Sequence, residues 1–189
     1  FYIYQIELGN HHQLGFLSLA SIKDFEKKII KPHEKIYESR KIERADQMMN
    51  LGTQIGPIYV SYPSENNIRN LLLSKIYKPP SYDFESFDNS IHRLWCINDA
   101  TFIEELTSLF KKVNAIYIAD GHHRMGAMGY INQKNPSNKK FMIAAFPSSE
   151  SKIYDYNRVI KDLNGLNKNE FINILSNDFK ITNKDSAFK

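Results

Sequence analysis

The chain lacks several features that mark particular protein classes. Its 189 residues include a single cysteine, Cys96. One cysteine excludes a disulfide within the chain and a zinc site built on several thiolates. Because Cys96 lies in the strand-like stretch 94–97, we expect a buried packing thiol and not a nucleophile. No apolar run approaches the roughly 20 residues that a membrane-spanning helix needs, and no signal peptide is visible. We therefore predict a cytoplasmic protein without a membrane partner.

The chain also has only a small excess of positive over negative charge. The 25 Lys and Arg residues against 21 Asp and Glu residues give a net charge of +4. Such a surplus tolerates anionic ligands, but it is too small and too dispersed to indicate nucleic acid, which is not an expected partner. Apolar residues make up 42% of the chain. This share is sufficient for a folded core and argues against extensive disorder.

The pattern of strands and helices predicts one α+β domain over residues 1–189, with a mixed sheet and flanking helices. The elements do not alternate strictly, which argues against a doubly wound sheet. A break at Lys78-Pro79-Pro80 marks an inserted hairpin-helix segment at about 64–112. Because the chain opens at Phe1 inside a strand-like run, we expect a fragment of a longer chain. The sequence does not indicate the oligomeric state.

The stretch from Ala115 to Arg124 concentrates most of the chemistry. An apolar strand-like run ends at Asp120, and Gly121, two histidines and Arg124 follow. A strand that passes through a glycine into a helix presents free backbone N–H groups and a partial positive charge, which suit phosphate. Asp120 could hold Mg²⁺ against that phosphate, and Arg124 could bind two of its oxygens. The alternative is a structural turn in which Asp120 caps the helix.

A second group of candidate residues follows Pro32. Glu34 lies on an irregular turn and is a candidate general base for an acceptor hydroxyl, although it could equally be one of many solvated acids. Lys41 and Arg44 share one face of a predicted helix. They could neutralise outer phosphates or pair with acidic residues of the same helix. A zinc site is a further alternative, and its ligands would be His33, His122 and His123.

The Asp-Gly-His-His-Arg string at 120–124 resembles a signature of the ParB/sulfiredoxin superfamily. The chain looks most similar to a family of unknown function that is often labelled ParB-like and compared with free-serine kinases. Further stretches resemble the same family, in the same order: 31–34, Lys41 and Arg44, 54–59, 92–95 and 156–159. The resemblance implies a ParB/sulfiredoxin-like core for the predicted mixed sheet.

The resemblance also implies a function. It suggests a magnesium-dependent kinase that binds ATP or ADP and phosphorylates a small hydroxyl compound such as free serine. The alternative is a ParB-like binding module that a nucleotide switches and that acts on DNA or a protein, and a third possibility is a degenerate fold kept for assembly. In the kinase the implied roles are catalysis by Glu34 and Asp120, magnesium binding by Asp120, nucleotide binding by Gly121, His122, His123, Arg124, Lys41 and Arg44, and substrate binding by His33 and Arg158.

Overall fold

The computed structural model describes residues 1–137, 139–154 and 157–184. The strands within these residues are β1 (Tyr2–Leu8), β2 (His11–Ser21), β3 (Ile30–Lys31), β4 (Ile58–Tyr62), β5 (Tyr82–Glu85), β6 (Ile91–Cys96), β7 (Ile116–Asp120) and β8 (Lys140–Pro147). The helices are α1 (Ile22–Glu26), α2 (Glu38–Leu51), α3 (Asn66–Leu73), α4 (Ala100–Phe110), α5 (His122–Lys134) and α6 (Lys168–Leu175).

The strands form one eight-stranded sheet in the order β3-β7-β4-β8-β2-β1-β6-β5. The pairs β3–β7 and β4–β8 are parallel, and the other pairs are antiparallel. The prediction of a mixed sheet with accompanying helices is therefore confirmed. The predicted insertion contains α3, β5, β6 and α4, and its two strands extend the sheet beyond β1.

The chain divides into two compact units, Phe1–Ser151 and Lys152–Lys189. All eight strands belong to the first unit, and α6 belongs to the second. The single domain over 1–189 and the insertion at 64–112 stay predictions.

Several element boundaries follow from the residues that stand there. Ser21 and Asp99 accept backbone N–H groups at the starts of α1 and α4, and Asn167 does so within a capping box at the start of α6. These side chains satisfy N–H groups that a helix start leaves without a partner. Gly52 ends α2 with φ of 66°, a left-handed conformation that glycine adopts without steric cost.

The core of the first unit lies on strands whose side chains alternate between buried and accessible positions. Ile58, Val60 and Tyr62 are buried along β4. The same alternation buries Trp95 in β6 and leaves Cys96 exposed. The expectation of a buried thiol was therefore wrong, because neighbouring residues of a strand point to opposite faces.

Helix α5 packs against α2 and contacts β4. The helices approach closely at Gly126, where an added Cβ would lie 2.8 Å from Cγ2 of Ile36 and 3.2 Å from Cγ of Lys41. This approach holds the segment before α2 beside the first turns of α5. In the part of the chain that the structure describes, no helix is both long and apolar enough to span a membrane. The cytoplasmic location stays a prediction.

Candidate functional site

The parallel pairing of β3 and β7 brings the two predicted groups of residues together. Ile30 pairs with Ile116 and Lys31 with Tyr117, so both strands run toward the same edge of the sheet. The segments that follow them, 32–34 and 121–124, leave at this edge side by side. Residues that are nearly ninety positions apart in the sequence therefore meet in one site.

A cleft of about 330 Å³ opens where these segments meet. Its volume falls at the lower end of the range of about 300–1,000 Å³ that is typical of small-molecule sites. The cleft contains seven of the predicted site residues, together with two apolar residues that the sequence did not single out. The lining residues are Glu34, Arg44, Met48, Ile55, Asp120, Gly121, His122, His123 and Arg124.

The start of α5 faces this cleft with Gly121 as its N-cap. Gly121 has φ of 98°, and within the described residues no side chain caps the helix. The first helical hydrogen bond runs from the Met125 N–H to the Gly121 carbonyl over 2.9 Å. The N–H groups of the first turn precede that bond and suit an anion, in line with the partial positive charge of a helix N-terminus. Asp120 does not cap the helix, so the predicted aspartate cap was wrong, whereas the wider alternative of a structural turn stays open.

Arg124 fixes the backbone around the turn. Its Nη2 pairs with the Asp120 carboxylate, and its Nη1 donates to the Pro57 carbonyl over 2.7 Å. An added Cβ would lie 2.9 Å from the guanidinium at Gly56 and 3.0 Å from it at Gly121. The guanidinium therefore fits against two stretches of backbone that approach it only because both residues are glycines. The carboxylate of Asp120 remains 76% exposed.

Gln54 holds the loop that supplies the Pro57 carbonyl. Its Nε2 donates to the carbonyls of Gly56 and Met142, each over 2.9 Å. Its Oε1 accepts the Met142 N–H over 2.7 Å. The side-chain amide thus continues the backbone pairing beside β8 and ties the loop to the sheet. The pair Gly56-Pro57 is a turn signal that could have indicated this loop, but it does not reveal the partner of the Pro57 carbonyl.

His122 has a buried ring whose nitrogens both contact the segment after β3. The side chain is 3% exposed, and its Nδ1 lies 3.5 Å from Oε2 of Glu34. Its Nε2 accepts the His33 N–H over 3.3 Å. The rings of His33 and His122 meet edge to face with centroids 4.4 Å apart. Burial, followed by the neighbouring His33, lowers the pKa of His122 from its usual 6.5, so the neutral ring is favoured.

The ring of His123 is in a different position. Both of its nitrogens are buried, and neither has a hydrogen-bond partner among the described residues. The ring lies 6.0 Å from that of Tyr37, and the residue is among those that line the cleft. A buried polar group without a partner calls for an explanation, and a water or ligand in the cleft would provide one.

The remaining predicted residues differ in how they relate to the cleft. Arg44 lines it and donates to Gln47. Lys41 is not among the lining residues: its Nζ pairs with Glu38 over 2.8 Å and lies above the ring of Tyr130. Lys41 thus pairs with an acidic residue of its own helix, which is the alternative to phosphate binding.

Two of the candidate substrate-binding residues fall in different units. His33 donates from Nδ1 to the Ile118 carbonyl over 2.8 Å, which fixes its ring against β7. Arg158 belongs to the second unit, and Tyr156 of the stretch 156–159 lies outside the described residues. The substrate-binding roles of His33 and Arg158 stay predictions.

Among the described residues there is no group of three or more His, Cys, Asp or Glu side chains arranged to hold a metal ion. The three-histidine zinc site is therefore not formed. A larger cavity of about 870 Å³ lies elsewhere in the first unit, between β2, β3 and α4. Apolar side chains such as Phe16, Ile30 and Phe110 line it, and it contains none of the predicted site residues.

The comparisons with known proteins assign the family. A family model described as "Protein of unknown function (DUF1015)" matches residues 1–189. The chain belongs to the DUF1015 family. No curated protein and no solved structure matches it.

The assignment to the ParB/sulfiredoxin superfamily was wrong, because the family that matches this DUF1015 chain over its whole length is a different one. The resemblance depended most on five residues of a strand-glycine-helix turn. Such turns bind anions on unrelated folds, so they report local chemistry better than ancestry. The ParB/sulfiredoxin-like core has no support from these comparisons.

Proposed function

We propose that the cleft binds the phosphates of ATP or ADP with Mg²⁺ and that the protein transfers a phosphoryl group to a small hydroxyl compound. The observation that carries the proposal is the meeting of Glu34, Asp120 and the uncapped start of α5 around one cleft. The resemblance that suggested free serine is wrong, so the acceptor is named only by its chemistry.

Charge and backbone geometry support phosphate as the ligand. The N–H groups at the start of α5 carry the partial positive charge of the helix, and Arg44 and Arg124 line the same cleft. Arg124 is already oriented by Asp120 and Pro57. An oriented guanidinium loses little side-chain entropy when it binds an oxyanion.

The carboxylates in the cleft fit a magnesium ion that arrives with the nucleotide. Mg²⁺ is commonly bound by one or two carboxylates together with substrate phosphates and water. Asp120 and Glu34 are the acidic residues among those that line the cleft, and Asp120 is the more exposed. We assign Asp120 to the ion. The ion would neutralise charge on the transferred group.

Glu34 is the candidate general base. Phosphoryl transfer breaks the bond between the γ-phosphorus and the bridging oxygen of ATP and forms a bond from that phosphorus to the acceptor oxygen. The acceptor proton passes to the Glu34 carboxylate, and ADP keeps the electron pair of the broken bond. Half-exposed at 52%, Glu34 is accessible to a hydroxyl compound in the cleft. Its place opposite the start of α5 supports this role.

The replacement Glu34→Gln tests the proposal. We expect turnover to fall by about 100-fold or more, because a general base typically contributes a factor of 10² to 10⁴. Nucleotide binding should remain, since the amide keeps the size of the side chain. The measurements are thermal shift with ATP, ADP or CTP and magnesium, and phosphoryl transfer to a panel of hydroxyl compounds. A nucleotide at 100 times its Kd should stabilise the fold by about 2.7 kcal/mol.

Glu104→Gln is the matched control, because Glu104 is an exposed acid on α4 and does not line the cleft. It should change neither binding nor turnover. Unchanged melting temperatures of the unmodified protein with all three nucleotides would contradict nucleotide binding. Binding without transfer to any acceptor would contradict the kinase reaction and leave a nucleotide-binding protein.

A further inference from the structure

The two adjacent histidines of the turn are in different environments. Both nitrogens of the His122 ring lie against the segment after β3. The ring nitrogens of His123 are buried without a hydrogen-bond partner in the described residues. The Nε2 of His122 is therefore occupied, and its Nδ1 lies beside Glu34. The role of His122 must be sought in what it does to its neighbours.

The hydrogen bond from His33 sets the proton on the His122 ring. A backbone N–H can only donate, so Nε2, which accepts it over 3.3 Å, carries no proton. In a neutral imidazole the proton then resides on Nδ1. That N–H lies on the side of Glu34, with Nδ1 and Oε2 3.5 Å apart.

The backbone and His33 hold this arrangement in place. His33 donates from Nδ1 to the Ile118 carbonyl over 2.8 Å, which ties the segment after β3 to β7. His122 begins α5, so its position is fixed by the helix. The two rings pack edge to face. The Nδ1 of His122 is thus held at the start of a helix, 3.5 Å from a half-exposed carboxylate.

We infer that His122 is a positioning residue that orients the Glu34 carboxylate through its Nδ1–H. This inference rests on the proposed function, in which Glu34 accepts the proton of the acceptor. The distance of 3.5 Å is longer than a formed hydrogen bond. Contacts of this kind are often long without a ligand and shorten when substrate binds. A histidine that orients a carboxylate also restricts where the base can point, as outer partners do for ligands in metal sites.

Two replacements of His122 separate orientation from packing. His122→Asn places an amide N–H near the position of Nδ1, and His122→Leu fills the space without a donor. We expect turnover to fall about 10- to 100-fold in His122→Leu, the usual cost of removing an orienting partner. His122→Asn should recover most of it. The Kd of ATP with magnesium should stay within twofold in both variants.

The tautomer of the ring gives a measurement that needs no enzymatic activity. Long-range ¹H–¹⁵N NMR of the unmodified protein should show the His122 proton on Nδ1. The ¹³C resonance of the Glu34 carboxyl should shift in His122→Leu and stay near its original position in His122→Asn. A proton on Nε2, or a Glu34 carboxyl chemical shift that changes in neither variant, would overturn the inference even if the kinase reaction is correct.

The kinetics of the two variants can also contradict the inference. Equal losses of turnover in the two variants would assign His122 a packing role only. A parallel loss of nucleotide affinity would assign it to ligand binding instead. If the unmodified protein transfers no phosphate, the proposed function fails, and the two NMR measurements still decide whether His122 orients Glu34.

Discussion

At the scale of single residues, Gly121 has two separate duties. Its φ of 98° lets the chain turn from β7 into α5, and its missing side chain lets Arg124 approach the backbone. The first property affects the free energy of unfolding, and the second affects the position of the Arg124 guanidinium in the anion site. The two can be distinguished by comparison with a glycine that has only the first.

We predict that Gly121→Ala destabilises the fold by about 1–2 kcal/mol, the usual cost of a left-handed conformation for a residue with a Cβ. It should also weaken stabilisation by nucleotide, because the new Cβ would lie 3.0 Å from Nε of Arg124 and shift the guanidinium. Chemical denaturation and thermal shift with ATP and magnesium measure the two effects.

The control is Gly9→Ala, at a glycine with φ of 56° and open space around the added Cβ. This variant should lose similar stability and keep its response to nucleotide. If Gly121→Ala retained that response in full, the anion would not bind at this turn.

At the scale of secondary-structure elements, the crossing of α2 and α5 depends on one small residue. Replacing a glycine by alanine inside a helix usually stabilises it by about 0.5–1 kcal/mol. At Gly126 the new methyl group would meet Ile36 and Lys41. Overpacking of this kind costs about 1–3 kcal/mol, so we predict that Gly126→Ala destabilises the protein.

Gly129 provides the comparison within the same helix, because an added Cβ there has nothing within 4 Å. Gly129→Ala should stabilise the protein by about 0.5–1 kcal/mol. Urea denaturation of the two variants gives the difference. Equal stabilisation at both positions would mean that α2 and α5 do not approach at Gly126.

The start of α4 provides a test of pH dependence. Asp99 accepts the Phe102 N–H and pairs with Lys75 over 2.8 Å. The pair with Lys75, followed by that hydrogen bond, lowers the pKa of Asp99 from its usual 3.8. The unfolded chain therefore binds the proton first as pH falls. The stabilisation is complete above pH 3.8 and is lost below it.

We expect the melting temperature of Asp99→Asn to approach that of the unmodified protein as the pH is lowered below 3.8. The amide still caps the helix but cannot pair with Lys75. Asp99→Ala, which removes the cap as well, should melt lower than Asp99→Asn at every pH. Melting curves between pH 3 and pH 7 check both statements. A constant gap between the unmodified protein and Asp99→Asn would contradict the ion pair.

The boundaries of elements were largely predictable because local chemistry determines them. Serine and aspartate caps and the glycine after α2 act on their own helix. The burial of Cys96 was mispredicted, because an apolar run of four residues does not reveal which face of a strand meets the core. The Gln54 amide escaped notice for a related reason: its partner Met142 is 88 positions away.

At the scale of the whole molecule, the division into two units provides a test. All residues that line the cleft lie within the unit Phe1–Ser151. We predict that a fragment of residues 1–151 unfolds cooperatively and keeps its stabilisation by ATP with magnesium. Calorimetry of the fragment and of the 189-residue chain measures both properties. Loss of nucleotide stabilisation would show that the binding site needs residues beyond 151.

The same comparison tests the predicted role of Arg158 in the acceptor site. If the fragment binds nucleotide but its KM for the acceptor rises, the second unit contributes to substrate binding. The replacement Arg158→Gln in the 189-residue chain then decides whether that residue is responsible. An unchanged KM in the fragment would remove Arg158 from the site.

The candidate site itself was predictable as two separate groups but not as one cleft. The turn at Gly121 carried a local signal, while the segment at Glu34 depended on which strands are neighbours. Strand order is determined by packing across the whole sheet. The pairing of β3 with β7 is the step that sequence periodicity does not supply.

Strand β3 spans only two residues, and among the strands that the structure describes it pairs with β7 alone. So short an edge strand can detach at little energetic cost while the central strands stay intact. The carboxylate of Glu34 therefore follows an edge strand, whereas the helix start opposite it follows β7, which pairs with a strand on each side. If β3 frayed locally, Glu34 would move away from the cleft while the start of α5 kept its place. On warming, phosphoryl transfer would then be lost at a lower temperature than nucleotide binding.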